Sequence, residues 1–252
     1  MALARGDLRT EARQRLCIAL DTADLGRAYR LATATAQSVG WIKIGLQLYT
    51  AHGPDAFRPF AQLGQNVFLD LKLHDIPNTV ASAITELAGL GASMVNVHAS
   101  GGSEMVSAAV EAAKGWGRRY GRQPPKVIAV TVLTSIDQKM LERTLGVTEA
   151  PLDLVLRLAT IARDSGADGV VASPLEAAVL RKEMGQDFLI VTPGIRMADS
   201  SLADQRRVAT PTYAIESGAT LLVVGRPITD AVDPAGAARA MAQEVERALG
   251  LT

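Results

Sequence analysis

Two acids and a lysine fall within six residues in the run Asp70-Leu71-Lys72-Leu73-His74-Asp75. Asp70 and Lys72 stand two apart, so on a β-strand both side chains leave from one face. Asp75, just past that strand, is placed to swing back to the same site. Lys43 stands in another apolar run, Trp41-Ile42-Lys43-Ile44-Gly45. On a neighbouring strand it would extend the group into an alternating array of cations and carboxylates. Each charge in such an array favours its neighbours' ionised forms, and the protons belong to the coupled set. The array offers a substrate fixed charge and an exchangeable proton. On spacing alone it also fits a structural salt-bridge network.

A second group of residues suits an anion. Thr192-Pro193-Gly194-Ile195-Arg196 and Val224-Gly225-Arg226-Pro227-Ile228 each combine a glycine with an arginine. Glycine lets a ligand approach backbone N–H groups closely. Arginine presents a planar fork matched to phosphate oxygens. Turn glycines beside surface arginines would leave the same trace. His74, His98 and Asp75 match no metal-ligand spacing, and no metal is expected.

The elements that must position these residues are short. Eight apolar runs recur, at residues 16–20, 41–45, 66–72, 93–98, 126–133, 169–172, 188–192 and 221–225. Most lack polar alternation, which suits strands buried on both faces of a parallel sheet. Helical spacing appears between them at 54–63, 80–90, 103–114, 151–165, 174–184, 211–217 and 234–249. Gly91, Gly166 and Gly218 follow helical segments, where a left-handed residue ends the helix. Eight strands alternating with helices indicate an α/β fold, a (β/α)8 TIM barrel, as one domain over residues 1–252. A doubly wound sheet is the alternative, but Asp21-Thr22-Ala23-Asp24 replaces the Gly-rich turn expected after its first strand. In a barrel the strand ends bring Asp21, Lys43, Asp70, Lys72, His98, Thr131, Thr134, Arg196, Gly225 and Arg226 to one mouth.

Bulk composition limits the partners. Lys and Arg number 26, as do Asp and Glu, so no global field draws in nucleic acid or an anionic membrane. Hydrophobic residues make up 48% and charged ones 21%, in keeping with a large buried core. The single cysteine, Cys17, lies in Leu16-Cys17-Ile18-Ala19-Leu20 and reads as a small buried hydrophobe. One cysteine fits a reducing compartment. Residues 1–14 are charged and lack the apolar core of a signal peptide. No apolar run is long enough to span a bilayer. A cytoplasmic location is expected.

Asp70-Leu71-Lys72-Leu73-His74-Asp75-Ile76-Pro77-Asn78-Thr79 resembles the signature of the orotidine 5′-phosphate decarboxylase family. The resemblance extends through Ala19-Leu20-Asp21, Lys43-Ile44-Gly45, Leu133-Thr134-Ser135, the two Gly/Arg loops and Asp204-Gln205-Arg206-Arg207-Val208. It implies decarboxylation of orotidine 5′-monophosphate to uridine 5′-monophosphate without metal or organic cofactor. It also implies roles. Lys72 would protonate C6, and Asp70 would sit beside the substrate carboxylate. Lys43, Asp70, Lys72 and Asp75 would form the array. Asp75 and Thr79 would reach the partner subunit's site in a homodimer. Asp21 and Lys43 would bind ribose hydroxyls, Thr134 the pyrimidine, and Arg196, Gln205, Gly225 and Arg226 the phosphate.

Two rivals share parts of this pattern. Magnesium-dependent sugar-phosphate decarboxylases and aldol enzymes of the same superfamily resemble the Asp-x-Lys-x-x-Asp core. They place a carboxylate on strand two, where this chain has Lys43. A catalytically silent phosphate-binding barrel would have lost Lys72 or an acid of the array, and none is lost.

Overall fold

The computed structural model describes residues 5–197 and 209–250. Its eight parallel strands are β1 (Leu16–Ala19), β2 (Trp41–Gly45), β3 (Asn66–Leu73), β4 (Met94–His98), β5 (Lys126–Val130), β6 (Gly169–Val171), β7 (Leu189–Thr192) and β8 (Leu221–Val224). Each pairs with the next, and β8 pairs with β1, closing a barrel with helices between the strands. All eight apolar runs are strands. The absence of polar alternation has a direct cause. Residues such as Ile18, Ile42, Leu69, Val95 and Leu222 are buried in the core shared with the helices. Their alternates Cys17, Ala19, Phe68, Met94, Ile128, Val191, Leu221 and Val223 pack together in a second core. Cys17 is among them, fully buried, and burial pushes its thiol pKa far above the ordinary value.

Local chemistry starts and stops the helices. Pro77, Pro151, Pro211 and Pro234 open Pro77–Leu90, Pro151–Asp164, Pro211–Glu216 and Pro234–Gly250, where a missing N–H costs nothing. Gly91, Gly166 and Gly218 have φ of 97°, 83° and 93°, the left-handed conformation expected of them.

The segment at 54–63 is a correction. It forms two short 3₁₀ turns, Gly53–Ala56 and Arg58–Phe60, rather than a helix. Pro59 would remove a donor from the interior of a helix there. Among the described residues five helices carried no expectation: Arg5–Gln14, Leu25–Thr35, Leu46–His52, Gln138–Leu145 and the one-turn Arg226–Thr229. Arg5–Gln14 and Gln138–Leu145 are mostly polar, and Leu25–Thr35 is rich in alanine and threonine, so their apolar stripes are thin. No helix among the described residues is long and apolar enough to cross a membrane.

Candidate active site

At the carboxyl ends of the strands lies a cavity of about 620 Å³, whose walls include Asp21, Lys43, Asp70, Lys72, Thr134, Arg196, Gly225 and Arg226. Four of these side chains form a chain of alternating charge. Lys43 Nζ lies 3.0 Å from Asp21 Oδ1 and 3.2 Å from Asp70 Oδ2. Lys72 Nζ lies 2.6 Å from Asp70 Oδ1. Lys43 and Asp70 are buried, at 8% and 7% exposure, so neither charge could be held without the other. Burial works against the Lys43 ammonium, but the carboxylates of Asp70 and then Asp21 outweigh it and raise its pKa. Burial likewise disfavours the Asp70 carboxylate. Lys43, Lys72 and a hydrogen bond from Asn96 overcome that and hold its pKa below the usual carboxylate value.

The backbone makes room for this array. Register runs unbroken between β2 and β3, from Trp41↔Asn66 to Gly45↔Asp70. A Cβ on Gly45 would come within 2.9 Å of Lys43 Nζ and 3.2 Å of Asp21 Oδ1, so the glycine leaves the space that this ion pair occupies.

Between β3 and β4 the register shifts: Leu69 pairs with Val95, but the next pair is Leu73 with Val97. Three residues of β3 therefore face one of β4. Lys72 sits in that bulge with φ of 51°, the one non-glycine residue with positive φ among those described. A left-handed residue with a Cβ costs about 1–2 kcal/mol. Asp70 and Lys72 do meet on one side, but through this irregular backbone rather than by simple strand alternation.

Asn96 lies opposite the bulge and is 1% exposed. Its Nδ2 donates to Asp70 Oδ1 at 2.7 Å, and its Oδ1 accepts the Lys72 N–H at 2.8 Å. Sequence reasoning missed it. The available signal was a polar residue inside the apolar run Met94-Val95-Asn96-Val97.

Other residues named from the sequence lie elsewhere. Asp75 is exposed, and its Oδ1 accepts the N–H of Ile76 at 2.7 Å instead of turning back to the array. Asp75 and the exposed Thr79 are absent from the cavity walls. Gln205 lies outside the described residues. Thr131 is buried and donates to Val171 O at 3.0 Å, so Thr134 alone of the two faces the cavity. His98 stacks near His74, with ring centroids 5.4 Å apart. Burial, then His74 and Lys72, lower its pKa. Among the described residues, no group of three or more His, Cys, Asp or Glu side chains is placed to hold a metal ion.

Residues of both Gly/Arg loops line the same cavity. Ile195 bridges to Ala209, and the Arg196 N–H donates to Ala209 O at 3.0 Å. Gly225 precedes a short helix, Arg226–Thr229. A Cβ on Gly225 would make only ordinary contacts with Ala19 and Asp21, at 3.8 and 3.9 Å, so its backbone stands open to the cavity. Arg27 also lines this end, held 3.1 Å from Asp230.

Residues 14–241 match the model of a family described as orotidine 5′-phosphate decarboxylase / HUMPS. The chain belongs to this family. Orotidine 5′-phosphate decarboxylase from Moorella thermoacetica is 47% identical over 239 residues, covering 95% of each chain. That from Paramagnetospirillum magneticum is 50% identical over 221 residues, covering 88% of this chain and 94% of its own. The crystal structure of the Lactobacillus acidophilus enzyme superposes with a TM-score of 0.81 at 39% identity, covering 92% of this chain and 99% of its own. Family membership accounts for the ten-residue signature around Lys72 and for the barrel that presents it.

Proposed function

We propose that this chain decarboxylates orotidine 5′-monophosphate to uridine 5′-monophosphate and carbon dioxide, the final step of de novo pyrimidine nucleotide synthesis. The observation that carries the reading is the unbroken Asp21–Lys43–Asp70–Lys72 array in the wall of the cavity, with residues of two Gly/Arg loops lining the same cavity. The cavity lies within the roughly 300–1,000 Å³ span of small-molecule sites.

The chemistry follows from the charge. Breaking the bond between C6 and the carboxylate leaves an electron pair on C6, and no carbonyl is placed to delocalise it. Fixed charge must do what a cofactor's electron sink does elsewhere. The Lys72 ammonium favours the developing carbanion over the neutral carbon of the ground state, and then gives C6 its proton as carbon dioxide departs. Asp70 holds Lys72 by an ion pair and stands beside the substrate carboxylate. Asp21 and Lys43 bind ribose hydroxyls, and Thr134 contacts the pyrimidine. Arg196, Gln205, Gly225 and Arg226 hold the phosphate, whose binding orients the ring at a distance.

The exposed positions of Asp75 and Thr79 fit a role in a second subunit's site, so the active form is a homodimer with shared sites. The proposal includes one domain over residues 1–252 and a cytoplasmic location.

One assay tests the centre of this reading: loss of orotidine monophosphate absorbance with EDTA present, wild type beside Lys72→Ala. Turnover that EDTA leaves intact and Lys72→Ala lacks is the expected result. No wild-type turnover, with or without EDTA, sinks the reading. For the dimer, a fully active monomer in sedimentation would refute shared sites.

A further inference from the structure

We infer that Asn96 is a positioning residue for the decarboxylation, acting through both Asp70 and Lys72; this rests on the function proposed above. Four observations meet at this one amide. It is buried. It stands alone on β4 opposite three residues of β3. It donates to the carboxylate oxygen that also receives Lys72 Nζ. It accepts the N–H of Lys72, the left-handed residue.

Each contact has a separate consequence. Where the β3–β4 register breaks, the Asn96 carbonyl takes the Lys72 N–H. That bond holds the strained backbone from which the ammonium reaches the cavity. Its NH₂ group fixes the rotation of the Asp70 carboxylate, so one oxygen meets Lys72 and the other meets Lys43. A carboxylate free to rotate would serve the two lysines less evenly. Asn96 itself is absent from the cavity walls, so it acts through its neighbours rather than on substrate.

Position can be separated from mere structural support. Asn96→Leu keeps a similar volume and removes both bonds. It is expected to lower kcat on the order of 10²-fold, with KM and uridine monophosphate affinity within about threefold, because the residues proposed to hold the phosphate lie in other loops. Asn96→Asp keeps the acceptor facing Lys72 but replaces the donor with a carboxyl beside Asp70. Two adjacent carboxylates cannot both ionise freely, so the introduced group binds a proton more readily than an ordinary one and can then donate as the amide did.

The charged and titratable groups near this position are Asp70 and Lys72 on β3, Lys43 on β2, which meets Asp70, His98 on β4, and His74, whose ring lies 5.4 Å from that of His98. The β5 partner, Ile128, carries no charge. These groups are the same in both proteins, so the ratio of variant to wild-type kcat isolates the introduced carboxyl. The ratio is expected to rise as pH falls. A purely structural role would leave it flat, and a flat ratio overturns the inference. So does wild-type kcat in Asn96→Leu. If Asn96→Leu does not fold, Asn96→Asp decides alone. An inactive wild type sinks the functional reading along with this one, whereas an active wild type with unaltered variants sinks this one alone.

Discussion

Strand β3 is paired differently on its two flanks. Towards β2, five consecutive pairs hold register from Trp41↔Asn66 to Gly45↔Asp70. Towards β4, the register breaks after Leu69↔Val95 and resumes at Leu73↔Val97. The regular flank sets Asp70 against Lys43 at a spacing that strand geometry fixes. The irregular flank frees three residues, and Lys72 uses that freedom to turn its ammonium back on Asp70. Below both lies the interior core of Cys17, Met94, Ile128 and Leu221, which makes no such exception. The barrel thus keeps its regularity where it needs stability and gives it up at the strand end that carries the proposed chemistry.

The largest expected effect lies on the irregular flank. Lys72→Ala should lower kcat by about 10⁴-fold or more, the combined scale of a lost proton donor and a lost electrostatic stabiliser. Unfolding midpoints should move little, because the ammonium is partly exposed. Steady-state assays with a parallel thermal melt check both halves. A variant within tenfold of wild type would remove Lys72 from the mechanism.

The interior core should show the opposite pattern. Ile128 is fully buried, and Ile128→Ala should cost about 2–5 kcal/mol of stability through the cavity it leaves. Turnover per folded molecule should stay near wild type. Urea unfolding together with assays normalised to folded protein separates the two quantities. A loss of kcat at unchanged stability would erase the contrast between the regions.

That contrast also explains what the sequence disclosed. The run at 41–45 is β2 to the residue, because a strand buried on both faces announces itself by composition. Asp70 and Lys72 were legible as a pair, since strand period alone suggested they could meet. The left-handed turn at Lys72 was not legible. Nothing in Leu71-Lys72-Leu73 marks it, and it arises from pairing with β4 rather than from local preference. Asn96 was hidden for the same reason: its partners are 24 and 26 positions away. The helix expected at 54–63 does not form because Pro59 interrupts its hydrogen-bond ladder despite the helical spacing.

A graded effect follows from charge on the regular flank. Asp70 has a lowered pKa in the fold, so its ionisation stabilises the protein above the ordinary value of 3.8, and that contribution is lost as pH falls through the lower folded value. Lys43 has a raised pKa, so its contribution is complete below 10.5 and is lost as pH rises through the higher folded value. The difference in unfolding temperature between wild type and Asp70→Asn should therefore hold steady between those limits and shrink on the acid side. Melts across pH measure it, and a difference already collapsing around pH 6 would contradict the ion-paired state.

The smallest effect tests the strain itself. At φ of 51°, Lys72→Ala keeps a Cβ in the left-handed region, and Lys72→Gly does not. Relief of that clash is worth about 1–2 kcal/mol. The extra freedom of glycine in the unfolded chain takes back about 0.4–1 kcal/mol. The glycine variant should therefore be more stable than the alanine variant by up to about 1.6 kcal/mol, measured by urea midpoint, while both are equally inactive. The two variants lack the same ammonium, so charge cancels in the comparison and only the backbone differs. If the glycine variant proves the weaker, the bulge is a comfortable one, and the irregular flank of β3 carries no stored cost to set against its function.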